Sequence, residues 1–579
     1  MWKSNNIFGN KQVFILRLLV GLVFGLALAW LIESTPNNHG DSNSTEIWRQ
    51  VCFAVIGLGA FVLWAGLGAM RRISLAIWAV TAAIVIAYVA NHSVTMGDAR
   101  GVGYLGGTIT FLIFPFLFIA HELVSSGDQA GKIIAPYETY FDEAWKRGVQ
   151  LILSLIFTQL FLGILFLGGA LLGFIGIDWL KDLLDEKYFM VPAMGMAIAS
   201  AVHLSDVQPK LLSNFRNLIL SIFAWLLPLI VLVGGIFVVS LAFTGLAPLW
   251  STKAATATLL TGCVIFVLLI NAAYGQGEEA HKINTILKIA IRIATFILAI
   301  FAVLAAYSLA LRINQYGFTP DRVFALIGVV IAVSYGAAYL AANIGRGAFM
   351  VNIEHANIGL AFVKAAVFLA VLTPFANPSR LSVDSQVARL ESGKIAVDKF
   401  DWLLLRFETG KYGNNALRRL TSSNVAAIKS KAIETQALND DDRHNRPPQT
   451  EPAKMQRPDV AQFTIVKGGT ALPQSFLNQE FDINDVSLPN CLRERTKSAH
   501  CEVAIIDLNG DNASELVFKA DYQLFLYYQE NGLWKIQDIS GFPFNENFKR
   551  AFAIGEISAA EPKWDDLIIG NQTIDIPSR

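Results

Sequence analysis

The chain of 579 residues is 54% hydrophobic and only 16% charged, with a mean hydropathy of +0.46. A soluble globular chain is about 25% charged, so these values exclude an ordinary water-soluble protein. The formal net charge is zero, from 46 basic and 46 acidic residues, which leaves no basic excess for nucleic acid. The apolar excess fills residues 13–377 and then stops.

A bilayer core of about 30 Å takes about 20 apolar residues as helix, with every backbone polar group paired inside it. Eleven stretches suit that role: 13–32, 47–69, 73–90, 102–120, 148–177, 189–203, 217–243, 253–274, 285–311, 322–343 and 356–377. The sixth is short. Residues 1–377 are therefore expected to form an all-α polytopic bundle of about eleven transmembrane helices. Residues 1–29 also have the layout of a signal peptide, ending Ala27-Leu28-Ala29. The apolar run continues through Trp30, Leu31 and Ile32, so a retained first helix is expected. Cleavage would leave ten spans that still finish outside.

Direction follows from the basic residues. With the N-terminus in the cytoplasm, the inner connections hold Lys11, Arg71, Arg72, Lys146, Arg147 and Arg216, among others. The outer ones hold fewer, such as Arg49, Arg100, Lys187 and Arg312. An odd number of spans sends the chain from Pro378 to the far side.

Ionisable residues within spans are costly and mark functional candidates. Lys364 is the sharpest, two turns into the last span. It suits a counter-ion or substrate contact, or it snorkels to the inner surface. Arg17 and Arg292 lie nearer span ends and are read as snorkelling. Asn271, Asn343 and Gln159 suit hydrogen bonds between helices. His121, His203, His281 and His355 all fall at expected cytoplasmic ends of spans, near Glu122, Asp206, Glu278 and Glu354. Imidazole with carboxylate suits a transition metal or a proton relay. Four unrelated interfacial histidines are the alternative.

Beyond the bundle, residues 378–438 read as helices, 439–460 as a polar, proline-bearing linker, and 461–579 as a small β-rich domain. The strand-like segments are AQFTIV, EVAIID, ELVFKA, YQLFLYYQ and LWKIQDI, with Asn531-Gly532 as a hairpin turn between the last two. Cys491 and Cys501 lie close together in this domain, as a disulfide in an oxidising compartment would. Cys52 and Cys263 lie alone in apolar helices, where a thiol is a small core group. In the run CEVAIIDLNGDNASELVF, Asp507, Asn509, Asp511 and Glu515 occupy positions one, three, five and nine of a loop. That spacing suits calcium. Phe518 stands at position twelve, where an EF-hand needs a bidentate Glu, so the loop is nearer the acidic strand–loop–strand of integrin-type propeller blades. An Asx-rich hairpin that holds its own backbone without metal is the other reading.

Three stretches carry a family likeness: 133–158, 309–327 with its Tyr-Gly-Phe-Thr-Pro-Asp-Arg run, and 382–420. Together they resemble the domain-of-unknown-function 4153 family of bacterial multi-pass membrane proteins. The resemblance implies a bacterial cytoplasmic (inner) membrane protein with the tail in the periplasm. It brings no reaction, substrate or ligand set. Within the run, Pro320 is placed to open a helix and Asp321 to sit at its positive end.

No phosphate-binding G-x-x-x-x-G-K-[ST] loop, G-x-S-x-G elbow or H-E-x-x-H helix occurs. Three roles remain, and the first is favoured. It is an envelope interaction or sensory protein that presents a periplasmic domain. The second is a transporter or channel, which requires a cavity reaching Lys364. The third is an enzyme with a metal site at the inner face. The bilayer is the one partner that the sequence implies.

Overall fold

The computed structural model describes residues 10–34, 44–97, 107–246, 249, 254–276, 283–345, 349–350, 352–438, 455–483, 485, 488–493, 500–511, 513–520, 523–530, 532–539, 545–559, 567–569 and 572–574. The chain divides into two units, Met1–Asp440 and Asp441–Arg579.

The first unit is helical. Its long helices are α1 (Asn10–Glu33), α2 (Ser44–Gly66), α3 (Arg72–Met96), α4 (Gly107–Ala130) and α5 (Tyr137–Gly173). After a short α6 (Trp179–Asp185) come α7 (Lys187–Val207), α8 (Pro209–Thr244), α9 (Ala255–Tyr274), α10 (Thr285–Tyr316), α11 (Pro320–Ile344) and α12 (Asn352–Val371). Among the described residues, ten helices are long and apolar enough to cross a membrane: α1 to α3, α5 and α7 to α12. The expected fourth span, 102–120, runs into α4, and its residues 102–106 lie outside the described set.

Several helices exceed their apolar runs. α5 starts at Tyr137 because the polar-looking segment before residue 148 is amphipathic and buries Tyr137, Phe141 and Arg147. α7 reaches 21 residues because its helix continues through polar ends. Prolines open α8 and α11, where a missing N–H costs nothing. Thr319 caps α11 by accepting from the Arg322 amide, and Asn284 caps α10 by accepting from that of Ile286.

Two apolar cores fill the bundle. One gathers Ile270, Ile291, Leu298, Ala305 and Tyr339 from α9, α10 and α11. The other joins Val62, Ile86 and Leu117 of α2 to α4 with Val371 and Leu372 at the end of α12. α1 meets α7 backbone to backbone. A Cβ on Gly21 would stand 2.6 Å from the Gly195 carbonyl, and one on Gly25 would stand 2.5 Å from Pro192 Cα. Gly21-Leu-Val-Phe-Gly25 is thus a small-xxx-small contact of the membrane type.

Helix ends meet in two sets. Arg71 before α3 pairs with Asp128 of α4 at 2.7 Å, Arg216 of α8 with Asp142 of α5 at 2.8 Å, and the Tyr274 hydroxyl of α9 donates to Glu354 of α12 at 2.9 Å. At other ends, Lys187 of α7 pairs with Glu33 of α1 at 2.8 Å, and Thr256 of α9 donates to Ser308 of α10 at 2.9 Å.

Three helices after α12 belong to the same unit: α13 (Pro378–Glu391), α14 (Gly410–Leu420) and α15 (Ala426–Gln436). They share a core of Val387, Leu390, Leu405, Leu417, Leu420 and Ala432. α13 closes the end of α10. The last carbonyls of a helix have no partner within it, and here α13 supplies them. Arg389 donates to the Gln315 carbonyl at 2.6 Å and to that of Asn314 at 3.2 Å. Gln386 donates to the carbonyls of Tyr316 at 2.9 Å and Phe318 at 2.7 Å. Gly317 lies at φ +74°, and a Cβ there would meet Arg389 Cδ at 2.7 Å. The glycine of the family run is therefore required twice, by its backbone angle and by the closeness of α13.

The second unit holds a five-stranded sheet in the order β2 (Phe463–Lys467), β4 (Cys501–Ile506), β5 (Glu515–Ala520), β6 (Gln523–Glu530), β7 (Leu533–Ile539). β2 and β4 are parallel and the other pairs antiparallel. β1 (Met455–Gln456) pairs with β3 (Phe481–Asp482), and β8 (Leu567–Ile569) with β9 (Gln572–Ile574). Short helices α16 (Gln474–Asn478), α17 (Asn490–Arg493) and α18 (Glu546–Ala553) complete it. Phe476 is fully buried among the rings of Phe481, Phe518, Tyr527 and Trp534. Glu530 faces Leu533 across the expected hairpin, with Gly532 at φ +79°. Asn531 lies outside the described residues.

Cys491 and Cys501 are joined as a disulfide, tying α17 to the first residue of β4. Closing so short a loop stabilises by about 2–3 kcal/mol. Replacing both cysteines by serine in the full chain is expected to speed amide exchange across β4 accordingly. Unchanged exchange there would deny the bridge a stabilising role.

Candidate functional site

A cavity of about 980 Å³ lies between α4, α5, α9, α11 and α12. Its walls are mostly apolar. Lys364 stands on its α12 wall, half-buried, with Nζ 5.3 Å from the centre of the Tyr335 ring on α11. Such a placement is a cation–π contact. Among the described residues no carboxylate lies within ion-pair distance of Lys364.

The wall also carries Asn271 and Asn357. Asn271 donates to the Tyr339 hydroxyl at 2.8 Å, that hydroxyl donates to Asn357 at 2.7 Å, and Asn357 donates back to Asn271 at 2.7 Å. The closed ring of bonds joins α9, α11 and α12, so Asn271 is the interhelical group that its place in a span suggested. Asn343 does the same between α11 and α10, donating to Thr295 at 2.9 Å. Gln159 is exposed on α5.

Glu122 is the carboxylate on the cavity wall, and it begins a buried chain of polar groups. Arg147 lies 3.6 Å from Glu122 and donates to Gln150 at 3.3 Å. Gln150 donates to Asp206 at 3.1 Å, and Asp206 accepts from Arg17 at 2.6 Å. Arg17 also donates to the Leu67 carbonyl at 2.6 Å. Its position near a span end led to the expectation that Arg17 snorkels, and it does not. It is fully buried, because α7 and the turn after α2 bring it an acceptor each. The sequence signal for this chain was the rarity of Arg, Asp and Glu at these depths, and their pairing needed the fold. Arg292 is exposed on α10 and faces the Phe349 ring.

The histidines are placed separately. His121 is buried, and its Nδ1 accepts from the Trp78 indole at 3.1 Å. His203 stacks on Phe14, with ring centres 4.7 Å apart. His355 is exposed, and His281 lies outside the described residues. Among the described residues, no group of three or more His, Cys, Asp or Glu side chains stands close enough to hold a metal.

In the tail loop, the oxygens proposed for calcium face the loop's own amides. Asp507 accepts from the Gly510 amide at 2.7 Å, Asn509 from that of Asp511 at 2.9 Å, Asp511 from that of Ala513 at 2.7 Å, and Glu515 from that of Leu508 at 2.7 Å. The first three are local Asx-type bonds, and the Glu515 bond closes the loop across its ends; together they account for its shape. Asn512, expected to turn there, lies outside the described residues. In the same unit the Tyr527 hydroxyl is buried and has no hydrogen-bond partner among the described residues. Burial, reinforced by the Asp485 carboxylate, raises its pKa above the ordinary value, so it is a neutral phenol.

Ten apolar helices among the described residues, around buried ionisable groups, define a multi-pass membrane protein. The family model described as "Domain of unknown function (DUF4153)" matches residues 50–405, more than half of the chain, and the chain belongs to that family. The match runs from α2 through the cavity helices to the residues just after α13. No curated protein and no solved structure matches the chain.

Proposed function

We propose that this protein is a sensory or interaction protein of a bacterial envelope. In this reading the bundle sits in the cytoplasmic membrane with the α1 N-terminus inside, α4 is an eleventh crossing beside the ten helices above, and the chain beyond α12 lies in the periplasm. The basic residues of the inner connections support that direction, and a disulfide suits an oxidising compartment. The observation that carries the sensory role is the bonding of α13 to the end of α10. α13 follows α12 by six residues, and it grips the loop that opens into α11. Both α11 and α12 line the cavity, so a change in their spacing bears directly on α13.

Two measurements test this. A reporter fused after Arg579 is expected to be active only in the periplasm; activity confined to the cytosol would remove the reading. Gln386→Ala with Arg389→Ala is expected to raise amide exchange in 378–391 at least tenfold, with the α9–α10 core unchanged. Unaltered exchange in α13 would mean that these bonds do not hold it. A carrier is the second reading, favoured by the cavity beside Lys364.

A further inference from the structure

We infer that the cavity between α4, α5, α9, α11 and α12 binds an amphiphile: one anionic head group at Lys364 with an apolar chain. The inference goes beyond either reading above, since it stands on the bundle alone.

The cavity's length comes from the helices that line it. The lining runs from Leu260 to Asn271 on α9, from Phe324 to Tyr335 on α11 and from Asn357 to Phe368 on α12. Each stretch advances about 16 Å at the helical rise of about 1.5 Å per residue. That is roughly half of a 30 Å hydrocarbon core. The volume of about 980 Å³ lies at the upper end of ligand pockets, roughly 300–1,000 Å³.

Polarity is graded along it. One end carries Glu122, Tyr137, Asn271 and Asn357, and the other carries Leu260, Phe324 and Phe368. Lys364 stands between them. Its ammonium leans over Tyr335, a residue of the cavity wall, and so points along the wall instead of away to a surface.

Charge then selects the occupant. An ionised lysine at the middle of a span costs several kcal/mol unless it is paired. Glu122 does not serve, because it lies beyond ion-pair distance of Lys364 and stands instead 3.6 Å from Arg147. A wholly apolar chain would leave the ammonium without a counter-charge. A wholly polar solute would gain nothing from the leucine and phenylalanine walls. One carboxylate or phosphate on an apolar chain satisfies both, and the surrounding bilayer supplies such molecules. A free fatty acid and an anionic phospholipid share this chemistry.

The test uses the full chain in nanodiscs of zwitterionic phosphatidylcholine. A fluorescent fatty acid is titrated, and its methyl ester serves as the uncharged twin. The acid is expected to bind saturably and at least tenfold more tightly than the ester. Lys364→Met should abolish that preference and Lys364→Arg should keep it, while Ala361→Trp, which fills the cavity, should weaken both probes. Competition by phosphatidylglycerol in the disc identifies a phospholipid occupant, and competition by unlabelled fatty acid alone identifies a free one. Equal binding of acid and ester, or no saturable binding, overturns the proposal. That comparison is made on the native chain, so it decides even where a variant fails to fold. It is also independent of the reporter fusion and of exchange in α13.

Discussion

Asp206→Asn is expected to destabilise the bundle by about 3–5 kcal/mol, the cost of leaving one member of a buried ion pair unmatched. The remaining charge is that of Arg17, which has no exposed surface. Its Nη2 is 2.6 Å from Asp206 and 2.6 Å from the Leu67 carbonyl, while its Nε and Nη1 have no hydrogen-bond partner among the described residues. Asparagine would offer an oxygen but no countercharge. The converse change is milder. Arg17→Met leaves Asp206 alone, but that side chain is 26% exposed and keeps the Gln150 amide at 3.1 Å. The two single variants should therefore differ, with Asp206→Asn the worse. The double variant should melt above Asp206→Asn alone, because it removes the stranded charge. Thermal unfolding of all three in nanodiscs checks this. Equal and additive losses would show that the pair does not act as a unit.

This ion pair also marks where the sequence stopped being legible. Spans were readable because about 20 apolar residues in a row have few other uses, and ten helices follow those runs. The five tail strands were readable for the same local reason, and all five lie in one sheet. The partners of Arg17 are 50 and 189 residues away, and periodicity carries nothing across such distances. Position near a span end suggested snorkelling, and the fold supplied an acceptor instead. The histidines shared a place in the sequence pattern, but their neighbours needed the fold as well: His121 accepts from Trp78 and His203 stacks on Phe14. The parallel pairing of β2 with β4, with the disulfide-linked α17 between them in the chain, had no local signal either. Lys364 stood out in the sequence, whereas the cavity it faces exists only once five helices are packed. The family run 316–322 and the stretch 382–420 were both visible as likenesses, but not as two halves of one contact.

The contact between α1 and α7 leads to the second large effect. Gly21→Ala is expected to destabilise the bundle even though alanine is the better helix former. The added methyl carbon would stand 2.6 Å from both the carbon and the oxygen of the Gly195 carbonyl. Backbone in the middle of a helix cannot step aside as a side-chain tip can, so α1 and α7 must separate along their whole contact. Overpacking of this kind costs about 1–3 kcal/mol and sometimes more. Here separation also draws Arg17, one turn away on α1, from Asp206 on α7. Gly21→Leu should therefore cost more than its bulk alone explains. Combined with Asp206→Asn, its penalty should fall short of the sum, since the ion pair can be lost only once. Gly57→Ala on α2 is the control, because a Cβ there meets nothing within 4 Å. It is expected to leave the melting temperature unchanged or slightly raised. If Gly21→Ala and Gly57→Ala melt alike, the backbones of α1 and α7 are not in contact as described, and the anchoring of Arg17 needs another cause.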